Sequence, residues 1–142
     1  MTVIETERYG PLEISSDNIY RFAKGIIGFE EYPSFALISV EDGAYYILQA
    51  VDGQLSFLLI KADLFVNDYG FEINDETVEL LGISSPDQVV VFLILNIVDD
   101  QPYVNLKAPI LIAASQCRGC QFVIHDMDYP IRHPLVASKE EA

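Results

Sequence analysis

The chain has 142 residues, 51% of them hydrophobic, which suits one independently folding domain. Eight Lys and Arg stand against 22 Asp and Glu, and the net charge of −14 opposes phosphate backbones and anionic lipid while favouring basic partners. Direct binding to nucleic acid or to a membrane surface is therefore not expected, and the same acidity also keeps an apolar domain soluble.

Met1-Thr2-Val3-Ile4-Glu5 lacks the basic and apolar regions of a secretory signal. The longest apolar run, 89–98, is broken by Asn96 and falls short of the about 20 residues that span a bilayer. A cytoplasmic chain with reduced cysteines is expected. The organisation reads as one domain over 1–137 with a flexible acidic tail at 138–142.

Short apolar and aromatic runs recur between turn residues, the pattern of a mostly-β chain. Strands are expected at 3–6, 12–14, 19–22, 35–40, 45–51, 56–60, 71–73, 89–98, 109–114 and 121–125. Gly10-Pro11, Asp42-Gly43 and Asp52-Gly53 punctuate them, and Asp52-Gly53 is the best hairpin because both residues tolerate positive φ. Val89 to Leu95 has no polar alternation, so this strand needs cover on both faces, as in a small barrel or folded-over sheet. One short helix is expected at 75–82, with Asp75 as its cap and Gly82 as its stop. Ser85-Pro86-Asp87-Gln88 is a capping-box pattern with room for a single turn. The fold class is thus a compact, antiparallel, barrel-like β domain with one or two short helices.

Chemistry-bearing residues are sparse. Cys117-Arg118-Gly119-Cys120 is the sharpest local motif, placed in an expected turn between the last two strands. It is a candidate for disulfide exchange or for half a zinc site completed by His125 and His133, but no helix follows and the spacing matches no standard finger. Two reduced thiols flanking a hairpin turn is the simpler reading, and no metal or other cofactor is expected. Gly25-Ile26-Ile27-Gly28 resembles an RNA-clamping Gly-x-x-Gly loop, yet Glu30 and Glu31 follow it, and a turn that needs unusual backbone angles accounts for both glycines. His125-Asp126 has no accompanying nucleophile elbow, and no phosphate-loop, metalloprotease or dinucleotide fingerprint is present. An enzyme is not expected. Glu30-Glu31, Glu41-Asp42, Asp75-Glu76 and Asp99-Asp100 fall at turns or element ends; as a group they would steer a basic partner.

Taken in order, several segments resemble the flagellar assembly factor FliW family. They are Thr6-Glu7-Arg8-Tyr9-Gly10 with Leu12-Glu13-Ile14, then Ile19-Tyr20-Arg21-Phe22 leading to Gly25-Ile26-Ile27-Gly28-Phe29-Glu30, then Leu48-Gln49-Ala50. Val104-Asn105-Leu106-Lys107-Ala108-Pro109-Ile110 is similar to that family's Asn-Leu-x-Ala-Pro-Ile motif, and Tyr129 with Arg132-His133-Pro134 fits its end. Ile27 departs from a usual Pro, Ala113 from a common Asn, and Cys117 and Cys120 lie outside the pattern. The resemblance implies a non-enzymatic protein, expected here as a monomer, that binds flagellin and the translational regulator CsrA. CsrA represses flagellin synthesis, so exchange between the two partners would relieve that repression. The motif residues Gly25, Gly28, Phe29, Asn105, Leu106, Ala108 and Pro109 are expected to be structural, with Asn105 satisfying backbone groups near Pro109. Glu30, Glu31, Asp99 and Asp100 are the candidate partner-binding residues.

Overall fold

The computed structural model describes residues 2–6, 10–40, 45–66 and 69–135. Glu7-Arg8-Tyr9, the Glu41-Asp42-Gly43 turn and the tail 138–142 lie outside the described residues.

Strands β1 (Thr2–Thr6) and β2 (Gly10–Ile14) form a separate antiparallel hairpin. Next come β3 (Ile19–Arg21), β4 (Ser34–Val40), β5 (Tyr45–Ala50) and β6 (Ser56–Lys61), then two short helices, α1 (Ala62–Phe65) and α2 (Asp75–Leu81). The chain finishes with β7 (Val90–Val98), β8 (Gln101–Val104), β9 (Ile110–Ala113), β10 (Arg118–Gln121) and β11 (His133–Pro134). The order β7-β6-β5-β4-β3-β10-β9 returns to β7, which closes a seven-stranded barrel, and β8 and β11 extend it as a flap on β7. Every ladder is antiparallel except β3–β10, where Arg21 and Arg118 pair in parallel.

The apolar run at 89–98 is the organising strand, as its lack of alternation implies. Phe92 and Ile94 face the barrel interior with Phe22, Phe35, Leu48 and Leu59, whereas Leu93 and Leu95 face outward onto a second cluster with Ile60, Val104 and Leu106. Successive side chains on one strand are thus buried on opposite faces. Each such side chain contributes about 1.5–3 kcal/mol of apolar burial. Inside the barrel the rings of Phe22 and Phe35 meet edge to face at 5.2 Å, and Tyr46 meets Phe92 at 4.9 Å.

Several local expectations need correction. Residues 71–73 alternate like a strand but join no ladder; Gly70 beside them bonds to the Tyr129 hydroxyl through both its N–H and its C=O. Residues 122–125 are not a strand either. The Phe122 and Ile124 amides bond to the Pro109 and Lys107 carbonyls, but Pro109 has no N–H to return and the ladder stops. Strand β10 lies earlier, over Arg118–Gln121, and β8 and β11 were not anticipated. Helix α2 is capped by Asn74, whose side chain accepts the Thr77 amide at 2.8 Å, not by Asp75. Gly82 does end it, at φ +70°. Gln88 accepts the Ser85 amide at 3.1 Å, the back-bond that the capping-box pattern requires.

Candidate functional site

The strand registers gather several connections at one end of the barrel. Arg21 pairs with Ser34, Gln49 with Ser56 and Leu58 with Leu95, so the 22–33 loop, the 51–55 connection and the β7–β8 tip share that end. Each is built by a different local device.

In the first loop Gly25 and Gly28 both adopt positive φ, +71° and +87°. A Cβ on Gly25 would stand 2.7 Å from the Glu30 backbone, so this glycine is required by space as well as by torsion. The turn between them is closed by the Phe29 amide on the Ile26 carbonyl at 2.7 Å. Ile26 is buried, and Phe29 packs on the core with its ring edge to face with Phe57 at 5.6 Å. Ile27, the residue that departs from the family's Pro, is 58% exposed, and Glu30 and Glu31 are exposed beside it.

The β5–β6 hairpin forms around Asp52-Gly53 as expected, with residues 51–55 between the strands. Gln49 is buried, and its side-chain amide donates to the Gly53 carbonyl at 3.1 Å, which ties the wider loop to the strand. At the β7–β8 tip Asp99 and Asp100 sit at φ +53° and +64°, between the paired residues Val98 and Gln101. Two successive left-handed residues match the right-handed twist of the hairpin. Both carboxylates are exposed, Ile97 beside them is 62% exposed, and Asp52 is exposed on the neighbouring connection. This barrel end therefore presents five exposed carboxylates together with two exposed isoleucines.

The Asn105 motif braces this end from behind. The Asn105 side-chain oxygen accepts the Lys107 amide at 3.0 Å and the Ala108 amide at 3.1 Å, while its own amide bonds to the Ile94 carbonyl. Leu106, Ala108 and Pro109 are buried. Gln121, which the sequence did not single out, donates to the Ala108 carbonyl at 3.2 Å and accepts the Ile27 amide at 3.0 Å, so one side chain joins two motifs. Tyr69 and Tyr129 were likewise missed as a pair. Their rings stand 4.8 Å apart, and the Tyr69 hydroxyl donates to the Leu106 carbonyl at 2.6 Å. Burial, with Tyr129 nearby, raises the Tyr69 pKa.

The cysteines do not flank their turn as expected. Cys117 is within it, exposed and left-handed at φ +54°, and Cys120 is on β10, buried against Leu81 and Leu111. Burial pushes the Cys120 thiol up to about 12, against an opposing pull from Lys24. The Gly119 between them is where the Phe22 ring packs, since a Cβ there would lie 2.7 Å from it. His125 is exposed, and His133 is on β11, paired to β8. Among the described residues no group of three or more His, Cys, Asp and Glu is placed to hold a metal ion. His125 and Asp126 lie outside any strand, both exposed. Among the described residues no helix is long and apolar enough to cross a membrane.

Comparison with known proteins gives a consistent picture. A family model described as "FliW protein" matches residues 3–135. The chain is 36% identical over 137 residues to a flagellar assembly factor FliW of Caldicellulosiruptor saccharolyticus, covering 94% of this chain and 90% of that one. It is 36% identical over 139 residues to another from Geobacillus kaustophilus, covering 96% of each. A crystal structure of the flagellar assembly factor FliW superposes with a TM-score of 0.88 at 33% identity, covering 97% of this chain and 99% of that one.

Proposed function

The chain belongs to the FliW family of flagellar assembly factors, and from that premise we propose that it is a monomeric, cytoplasmic regulator that binds flagellin and CsrA in alternation. In this reading, bound flagellin occupies the protein and leaves CsrA free to repress flagellin synthesis; export of flagellin frees the protein to sequester CsrA. The proposal treats 1–137 as one FliW-like unit and needs neither a cofactor nor direct contact with nucleic acid.

The observation that carries the binding reading is the barrel end. Exposed carboxylates at Glu30, Glu31, Asp99 and Asp100 stand on the same end as exposed Ile27 and Ile97. Interfaces combine apolar anchors with charges that steer encounter, and this end offers both. A net charge of −14 favours a basic partner and disfavours RNA nearby.

Calorimetric titration with cognate CsrA, then with cognate flagellin, tests the proposal. Saturable binding to each, with one weakening the other, is the expected result; binding to neither would remove it. Charge reversal of Glu30, Glu31, Asp99 and Asp100 should weaken CsrA binding at low salt. Unchanged affinity would remove these residues from the interface.

A further inference from the structure

The register of β6 leaves an opening beside β7. The β6–β7 ladder ends at Lys61 and Phe92, where the chain turns into α1, but β9 follows β7 on to Val90. The start of β7 therefore loses its strand neighbour on one side. Residues 69–73 cross nearby without pairing, and a groove of about 690 Å³ remains between them, α1 and the beginning of β7. That volume falls within the range of sites that enclose a bound group.

The groove is apolar at its base and acidic at its rim. Val66, Phe71, Ile73 and Val91 line it, and Asp63 and Glu72 stand exposed at its edge; no Lys or Arg is among its described lining residues. Its outer wall is held in place. The Tyr69 hydroxyl is tied to Leu106, the Tyr129 hydroxyl bonds to Gly70 on both its N–H and its C=O, and Phe71 stacks on Phe122 at 5.6 Å. A wall tied to the Leu106 carbonyl and to the side chains of Phe122 and Tyr129 needs no ordering when a partner arrives.

We propose that this groove is a second docking site, which takes an apolar anchor side chain flanked by Lys or Arg on a protein partner. The inference rests on the partner-binding reading above and adds a site at the opposite end of β6 and β7 from the acidic loops. Charge selects the occupant. A second copy of this chain brings a net −14 to an anionic rim and is repelled, whereas a basic segment gains from Asp63 and Glu72 while its anchor leaves water. Of the two alternating partners, CsrA, a translational regulator and so a chain that meets polyanionic RNA, is the more basic and is the one for which the groove is suited.

Gly70 gives a clean test. It lines the groove, has no left-handed φ, and a Cβ there would meet nothing within 4 Å, so Gly70→Trp adds bulk to the opening without backbone strain. Affinity for purified CsrA is measured by calorimetry for the wild type, Gly70→Trp, the Asp63→Lys/Glu72→Lys pair and a charge-matched Glu13→Lys/Asp17→Lys control, with thermal melts confirming that each is folded. The expected result is a loss of about tenfold or more for the two groove variants, with the control changing by less than about threefold. Wild-type affinity in folded Gly70→Trp overturns the groove proposal and leaves the partner-binding reading standing. Equal loss in the control and in the Asp63/Glu72 pair, with Gly70→Trp unaffected, shows only a long-range charge effect and also overturns it. No binding by the wild type overturns the partner-binding reading, and the groove proposal with it.

Discussion

The side-chain oxygen of Gln121 accepts the Ile27 amide at 3.0 Å, across 94 residues of sequence. Its amide nitrogen donates to Ala108 in the other direction. Gln121→Leu removes both bonds at similar volume and should destabilise the protein by about 1–3 kcal/mol, read as a lower urea midpoint at unchanged slope. Gln121→Glu keeps the acceptor for Ile27 but sets a carboxylate against the Ala108 carbonyl. It should lose stability at neutral pH and recover part of it as the carboxyl protonates in acid.

Gly25 and Gly28 look equivalent in sequence, but their surroundings differ. Both have positive φ, so alanine at either position is strained by about 1–2 kcal/mol. Only at Gly25 does the new Cβ also strike backbone, at Glu30, whereas at Gly28 it meets open space. Gly25→Ala should therefore lower the melting temperature clearly more than Gly28→Ala, and Gly28→Asn should be milder still because Asn tolerates the left-handed region. Equal shifts for the two alanine variants would show that torsion alone decides.

What was legible in the sequence follows from where the stabilising contacts lie. The unbroken run at 89–98 needs cover on both faces whatever its neighbours are, so a central strand in a small barrel or folded-over sheet could be read from it. Asp52-Gly53 and Gly82 announced a hairpin and a helix end through backbone chemistry local to them. The misses have non-local causes. Residues 71–73 alternate as a strand would, but the Tyr129 hydroxyl, 59 residues from Gly70, holds the adjoining backbone instead of a ladder. Strand β10 was hidden because Gly119 reads as a turn residue until the Phe22 ring is seen packed against it. Of the candidate site, the exposed carboxylates could be read from turn positions. Gln121 and the groove could not, because both depend on which loops the barrel closure brings together.

The two thiols should behave as chemically distinct. Cys117 is exposed and Cys120 buried, so a maleimide should label one thiol quickly in the native protein and both after denaturation. Stability should also fall in alkali. The Cys120 thiol ionises at about 12 in the fold but near 9 when unfolded, so its contribution is fully present below pH 9 and is lost as pH rises through 12. While only the unfolded thiol is ionised, the slope is about −1.4 kcal/mol per pH unit. Tyr20 and Tyr69, both raised chiefly by burial, add losses of the same sign above about pH 10. Urea midpoints taken between pH 9 and 10 should fall less steeply for Cys120→Ala than for the wild type; matching slopes would place the loss elsewhere.

Asp99 and Asp100 separate stability from binding. Both occupy left-handed backbone, which Asn-Gly fits with less strain than Asp-Asp, and two adjacent carboxylates at a hairpin tip also repel each other. Asp99→Asn with Asp100→Gly should therefore raise stability by about 0.5–1 kcal/mol, seen as a higher melting temperature. The same change removes two of the five exposed carboxylates from the barrel end. If those charges steer a basic partner, association should slow by several-fold at low salt and converge on the wild-type rate at high salt, with dissociation little changed. A stabilised variant that associates more slowly would mean that the acidic pair is held at this turn for encounter, at some loss of hairpin stability. A stabilised variant with unchanged association kinetics would mean that Asp99 and Asp100 are solvated turn residues, and that the partner surface lies away from the β7–β8 tip.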